Sequence, residues 1–243
     1  MTGTTPRGAG SELEASAWVR RMFGRVAARY DLLNHLLSFN LDRRWRACTV
    51  DRVSEILDRP GARVLDLCSG TGDLLIALEK RSRAATVGSD FCHPMLVLAR
   101  QKIARRNLRS PLFEADALDL PLASESFDLI TVAFGFRNLA NYQRGLEEIK
   151  RVLKPGGTLA ILEFSQPPKR LFAALYGFFS TRVLPVIGGW ISGSREAYAY
   201  LPESIRKFPD AEDLSKAILA AGFSSVDFEL MTAGAVALHL AEK

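Results

Sequence analysis

The chain has 243 residues, of which 48% are hydrophobic and 24% charged, proportions that argue against wholesale disorder, a collagen repeat or a disulfide miniprotein. Thirty-two Lys and Arg against 27 Asp and Glu leave a net charge of +5, a mild bias that permits an anionic partner without requiring one. Cys48, Cys68 and Cys92 form no CxxC pair, so neither a zinc ribbon nor a disulfide framework is supported and free thiols in a reducing cytosol are expected.

Residues 1–11 are small and polar and lack an apolar h-region; a disordered tail is expected there, not a secretory signal. Apolar residues at helical spacing predict helices over 12–28, 30–39 and 43–57, a helical cap spanning residues 12–58 and closed by Pro60-Gly61. The pattern then changes. Residues 63–67 (RVLDL) read as a buried strand, 73–80 as a helix, 85–89 as a second strand ended by Asp90, and 94–107 as an amphipathic helix. Strands follow at 111–115 and 127–133, a helix at 142–152 closed by Lys154-Pro155-Gly156-Gly157, and a strand at 158–163. A late helix over 214–221 stops at Gly222, and strands at 225–232 and 235–241 form an antiparallel hairpin. Strand–helix alternation with short loops predicts an α/β fold: a doubly wound, mostly parallel sheet in one domain, residues 12–243.

Residues 171–191 are apolar and long enough to span a bilayer. Arg182 lies at the centre of the run and Pro185, Gly188 and Gly189 follow it. A central Arg costs about 2.5–3.5 kcal/mol on insertion scales, so a transmembrane helix is rejected. The segment 166–209 is instead read as an insertion.

The strongest local signal is the run from Val64 to Asp73, VLDLCSGTGD. A strand runs into a turn whose glycines let a ligand approach the backbone, at the strand end where doubly wound sheets bind ligands. A dinucleotide site requires G-x-G-x-x-G. Here Gly70-Thr71-Gly72 is followed by Asp73, and no third glycine follows. The acid disfavours a pyrophosphate and suits a cationic ligand. S-adenosylmethionine carries an ammonium and a sulfonium, and Asp66 or Asp73 could face the ammonium. Asp90, ending the second strand, is suited to ribose hydroxyls. Asp116 and Ala117, after the third strand, are suited to the adenine edge. The expected cofactor set is Asp66, Gly70, Thr71, Gly72, Asp90, Asp116 and Ala117, with no metal.

Four blocks carry a resemblance. They are Phe23 to Trp45 (FGRVAARYDLLNHLLSFNLDRRW), the VLDLCSGTGDL turn, Phe127 to Gln166 with FGFRN and LKPGG…LEFS, and Tyr198 to Pro209 (YAYLPESIRKFP) with the TAGAVALH ending. The sequence resembles the Rossmann-like, S-adenosylmethionine-dependent C-methyltransferases of menaquinone and ubiquinone biosynthesis. It departs from them at Ala133, where the family often has a cofactor-contacting Ser, and at Cys92-His93-Pro94 after Asp90.

The resemblance implies methyl transfer to a ring carbon of a prenylated hydroquinone, with demethylmenaquinol expected first. A benzoquinol of the ubiquinone pathway or another small molecule is the alternative. Such a reaction aligns carbon, methyl and sulfur and needs a phenol ionised, or its phenolate stabilised, to activate the ortho carbon. On this footing Arg137 is expected to stabilise phenolate or to orient a water, with Asn138 beside it and Tyr30 shuttling a proton or holding the quinol oxygen. Glu163 is read either as a substrate contact or as half of a salt bridge with the insertion. His35, His93 and His239 are left as structural residues. The insertion becomes a lid whose Phe178 and Phe179 meet the prenyl tail or a bilayer. The enzyme is then cytoplasmic, with peripheral contact at the inner membrane face. A homodimer is left open. Nucleic acid is disfavoured, because Arg100 to Arg109 reads as a solvated helix face. An oxidoreductase is disfavoured by Asp73 and the absent third glycine, and a non-catalytic scaffold by the intact cofactor positions.

Overall fold

The computed structural model describes residues 3–6, 8–167 and 195–243. Helix α1 (Glu12–Leu37), α2 (Leu41–Arg52) and the single turn α3 (Ser54–Leu57) precede the first strand. Strands β1 (Arg63–Leu67), β2 (Ala85–Asp90), β3 (Leu112–Glu114), β4 (Phe127–Ala133) and β5 (Leu153–Phe164) are separated by α4 (Asp73–Arg81), α5 (His93–Arg105) and α6 (Tyr142–Val152). Then come α7 (Arg195–Lys207), α8 (Ala211–Ala220), β6 (Ser225–Met231) and β7 (Val236–Glu242).

Among the described residues the sheet has seven strands in the order β3-β2-β1-β4-β5-β7-β6. The first five are parallel, and β7 runs antiparallel between β5 and β6. The fold class is therefore the expected one. Val64, Leu65 and Leu67 of β1 are wholly buried, as a central parallel strand covered on both faces requires. Chain order reverses between β1 and β4, which creates the crevice at their carboxyl ends where such sheets take ligands.

Several boundaries differ from expectation. The helices predicted at 12–28 and 30–39 are one helix, because neither Gly nor Pro separates them. Ser11 starts it by accepting from the Glu14 amide at 3.2 Å. The helix predicted over 43–57 breaks at Val53. Lys154 to Gly157 do not end α6 in a free loop. Phe127 pairs with Leu153 and Leu129 with Thr158, so the intervening residues bulge out of β5 and Gly156 takes φ +69°.

The expected disordered tail is also corrected in part. Thr4 is buried, its amide donates to the Leu139 carbonyl at 2.7 Å, and its hydroxyl lies 2.7 Å from that of Tyr200 on α7. The proposed lid and membrane segment at 171–191 lies outside the described residues. Of the insertion, residues 195–207 form α7, with Pro202 within it.

Two features seat the cap on the sheet. Trp45 of α2 donates to Thr232 in the β6–β7 turn at 2.9 Å. Its ring packs against Phe134 and Phe164, which themselves lie 5.0 Å apart. Aromatic pairs of this kind add about 0.5–1.5 kcal/mol each beyond area burial.

Candidate functional site

A cleft enclosing about 880 Å³ of empty space, its open mouth included, lies at the carboxyl ends of β1 and β4. All seven expected cofactor positions except Gly72 line it: Asp66, Gly70, Thr71, Asp90, Asp116 and Ala117. Gly72 acts one step away, as the left-handed residue (φ +82°) that opens α4.

The backbone is bent to make this floor. Gly70 has φ +55° and a Cβ there would meet nothing within 4 Å, so the turn leaves room for a ligand. Cys68 and Phe134 are also left-handed, at φ +55° and +57°. Strain at non-glycine residues concentrates at functional sites, and these two flank the cleft on neighbouring strands.

Asp90 stitches the turns together. One oxygen accepts the Gly70 amide at 2.8 Å and the other the Cys92 amide at 2.8 Å. Burial lifts its pKa to about 6, against the opposing pull of those amides. A carboxylate offers about four acceptor positions, so Asp90 keeps capacity for a ligand. Asp66 is 1% exposed. One oxygen accepts from the Thr131 hydroxyl at 2.7 Å, while Oδ2 is buried without a partner. Burial lifts its pKa to about 7. Asp116 Oδ1 accepts the Leu118 amide at 2.9 Å.

Asp73 also lines the cleft, with one oxygen already held by a protein cation. Lys102 of α5 binds it, and the same ammonium donates to Asp31 at 2.7 Å and to Thr71 at 3.1 Å. Thr71 in turn donates to Asp31. The negative charge after the glycine turn therefore clamps α1 to the turn, while Asp66 keeps a buried oxygen with no partner among the described residues.

The expected catalytic residues are divided. Tyr30 and Asn138 line the cleft. Burial raises the Tyr30 pKa above its ordinary value, so this phenol stays protonated at neutral pH. Tyr200 donates to Asn138 Oδ1 at 3.0 Å. Arg137 is not among the lining residues. It is 5% exposed, and its Nη1 donates to Glu163 Oε1 at 2.7 Å and to the Phe134 carbonyl at 2.8 Å. Its Nε is buried without a partner. Among the described residues Glu163 thus pairs with Arg137. The reason is topological: β4 and β5 are adjacent, and the 3₁₀ turn Phe136–Asn138 folds back over the end of β5.

Arg46 is a cleft residue outside the expected site set. It is 9% exposed and lines the cleft. The Asp42-x-x-x-Arg46 spacing was the available signal, since the two form an ion pair along one helix face. Of the histidines, His239 is buried and shares a 2.9 Å hydrogen bond with the Ala211 carbonyl. His93 is exposed beside Glu114 at 3.0 Å. His35 lies 2.8 Å from Asp42 and 3.9 Å from Asp73.

The fold is that of the Rossmann-like methyltransferases. It aligns with a solved S-adenosylmethionine-dependent methyltransferase of Aquifex aeolicus (TM-score 0.58, 21% identity, 80% of this chain and 88% of that one). It also aligns with the [4+2]-cyclase SpnF (TM-score 0.68, 20% identity, 98% and 99%). These likenesses establish architecture, not chemistry. The family is fixed by sequence. Residues 11–243 match the model of the ubiE/COQ5 methyltransferase family, and the chain belongs to it. It is 50% identical to the demethylmenaquinone methyltransferase of Thermus thermophilus over 91% of this chain and all of that one. It is 43% identical to that of Deinococcus radiodurans over the full length of both. With the ubiquinone/menaquinone biosynthesis C-methyltransferase UbiE of Geotalea daltonii it shares 40% over 93% and 96%. Among the described residues no helix is long and apolar enough to cross a membrane.

Proposed function

We propose that this chain transfers a methyl group from S-adenosylmethionine to a ring carbon of a prenylated hydroquinone, demethylmenaquinol giving menaquinol. The observation that carries the reading is the cleft at the β1–β4 switch point. There a bare glycine, an orphaned buried carboxylate oxygen and two further strand-end acids line one cleft. The names of two relatives that align over most of both chains support the substrate.

The residues present suit that co-substrate. Asp66 would hold its ammonium, Asp90 its ribose hydroxyls, and Asp116 with the Ala117 amide its adenine edge, while Gly70 clears the approach. The co-substrate supplies a methyl on a sulfonium, already a good leaving group. What remains for the chain is to align the quinol and exclude water. Tyr30 and Asn138 would contact the quinol oxygen. Arg137 acts behind them as a positioning residue, its peptide and side chain both anchored to Glu163. The lid at 166–209 and peripheral membrane contact at 171–191 stay part of the proposal. Their test is liposome pelleting, and turnover on long-tailed quinols, with Phe178 and Phe179 changed to charged residues. Unchanged pelleting and turnover would remove both roles.

A second reading, methylation of a ubiquinone-pathway benzoquinol, draws on the 40% relative that carries both pathway names. Calorimetry tests the shared step. Binding of S-adenosylhomocysteine without binding of NADH is expected. The reverse would return the chain to the oxidoreductases.

A further inference from the structure

We propose that Tyr200 of α7 is a positioning residue for methyl transfer: its hydroxyl occupies the carbonyl oxygen of the Asn138 amide and so commits the amide nitrogen of Asn138 to the quinol oxygen. The proposal rests on the proposed function and gives a role to a residue outside both the glycine turn and the Phe136–Asn138 turn.

An asparagine side chain on a cleft wall has two faces. Its oxygen accepts and its nitrogen carries two N–H donors, so it can accept from a phenol hydroxyl or donate to a phenolate. Its neighbours decide which. Asn138 is 8% exposed and lines the cleft. Tyr200 Oη donates to Asn138 Oδ1 at 3.0 Å. Asn138 Nδ2 reaches the Phe134 carbonyl only at 3.5 Å and meets no other acceptor among the described residues. The accepting end is therefore spent on the protein, and a donor is left for a ligand.

Tyr200 is itself held in place. A phenol has one proton to give. It goes to Asn138, so Thr4, whose Oγ1 lies 2.7 Å away, donates to the same Oη. The Tyr200 ring lies 5.0 Å from that of Trp18 and packs with Val19 and Met22 of α1. Burial raises the Tyr200 pKa above its ordinary value, so the proton stays in place at neutral pH. The turn that carries Asn138 is pinned as well. Tyr142 donates to the Arg137 carbonyl at 2.9 Å, and the Thr4 amide to the Leu139 carbonyl at 2.7 Å.

The chemistry follows. A ring carbon ortho to a phenolate is the nucleophile, and the negative charge sits largely on the ring oxygen. A fixed donor aimed at that oxygen stabilises the charge without reorganising as the reaction proceeds, whereas an acceptor would repel it. Helix α7 belongs to the insertion and packs against α1 and the Phe136–Asn138 turn. The donor is thus set by the same contact that seats the insertion on the cap.

The test is kinetics on Tyr200→Phe, which keeps the ring against Trp18 and removes only the hydroxyl. With demethylmenaquinol, kcat should fall about 10–100-fold, somewhat less than the about 10²–10³-fold that removal of an anion-stabilising donor costs. The Kd for S-adenosylhomocysteine should change less than about threefold. Asn138→Ala should lower kcat at least as far, and adding Tyr200→Phe to it should cost less than about threefold more. Losses that multiply in the double variant, a Tyr200→Phe enzyme with wild-type kcat, or a loss of S-adenosylhomocysteine affinity in step with kcat would overturn the proposal. A further measurement needs no variant. With S-adenosylhomocysteine bound, the wild-type protein should bind an ionised nitronaphthol more tightly than its methyl ether. An ether bound equally or more tightly would overturn the donor-facing amide. Wild-type protein that bound S-adenosylhomocysteine yet methylated no quinol would instead overturn the substrate reading beneath it.

Discussion

Arg137 Nη1 donates to Glu163 Oε1 at 2.7 Å, and neither side chain is more than 5% exposed. Burial alone would pull the Arg137 pKa down, and the Glu163 carboxylate more than reverses this. The pair ties the FRN turn to the end of β5, next to the cleft residue Asn138. Removing one partner of a buried pair strands the other charge and costs about 3–5 kcal/mol. Glu163→Ala and Arg137→Ala should therefore both lower the thermal midpoint markedly. Where Arg137→Ala folds, it should reduce kcat while the Kd for S-adenosylhomocysteine changes less than threefold. Equal loss of both would move Arg137 into the cofactor site.

Asp90 holds the Gly70 and Cys92 amides and faces the cleft. Asp90→Ala removes the acceptor of both turns. Its affinity for S-adenosylhomocysteine should fall by at least about tenfold, or about 1.4 kcal/mol. An unchanged binding isotherm would show that Asp90 braces the loops and no more.

Asp66 and Asp90 titrate near neutrality because burial disfavours their charged forms. Their folded pKa values, about 7 and about 6, lie above the ordinary Asp value near 4. Between those limits the folded protein binds more protons than the unfolded chain, so stability falls as pH rises through the window. The ligand-free protein should melt higher at about pH 5.5 than at about pH 7.5, and Asp66→Asn should flatten that decline. Saturating S-adenosylhomocysteine should flatten it too, by giving the Asp66 anion a cation. A melting curve independent of pH across this range would contradict the burial argument.

A Cβ added at Gly135 would sit 2.4 Å from Cys68 Cβ, so one end of β4 cannot carry a side chain there without moving the end of β1. Gly135→Ala should destabilise by about 1–3 kcal/mol and weaken S-adenosylhomocysteine binding together. Loss of stability with binding intact would mean that the strand ends shift without disturbing the cleft.

Much of this was legible because local patterns settled it. Phe127–Ala133 and Tyr142–Val152 have the predicted ends, since a mostly apolar run begins after Ser126 and a clean helical period begins after the capping Asn141. The glycine turn and its acids lie at strand ends that the alternating pattern locates. What sequence could not reveal depends on contacts between distant segments. Lys102 neutralises Asp73 from 29 residues away, and Arg137 meets Glu163 from 26. Nothing local marks either pairing. Arg46 follows Arg43 and Arg44 in a basic stretch with no local mark of burial, and only the docking of α2 against the sheet turns it inward. The seating of Thr4 was hidden for the same reason. Thr4 has no apolar pattern of its own and is buried by its partners, Leu139 and Tyr200.

The central claim, methyl transfer to a prenylated naphthoquinol, is tested most directly by mass spectrometry of the products. The protein would be incubated with methyl-labelled S-adenosylmethionine and reduced demethylmenaquinone in mixed micelles, with a demethylated ubiquinone-pathway benzoquinol in a parallel reaction. The account predicts a ring-methylated naphthoquinol carrying the label and an equal yield of S-adenosylhomocysteine. Label found only in the benzoquinol would contradict the substrate, and no label in either quinol would contradict the function.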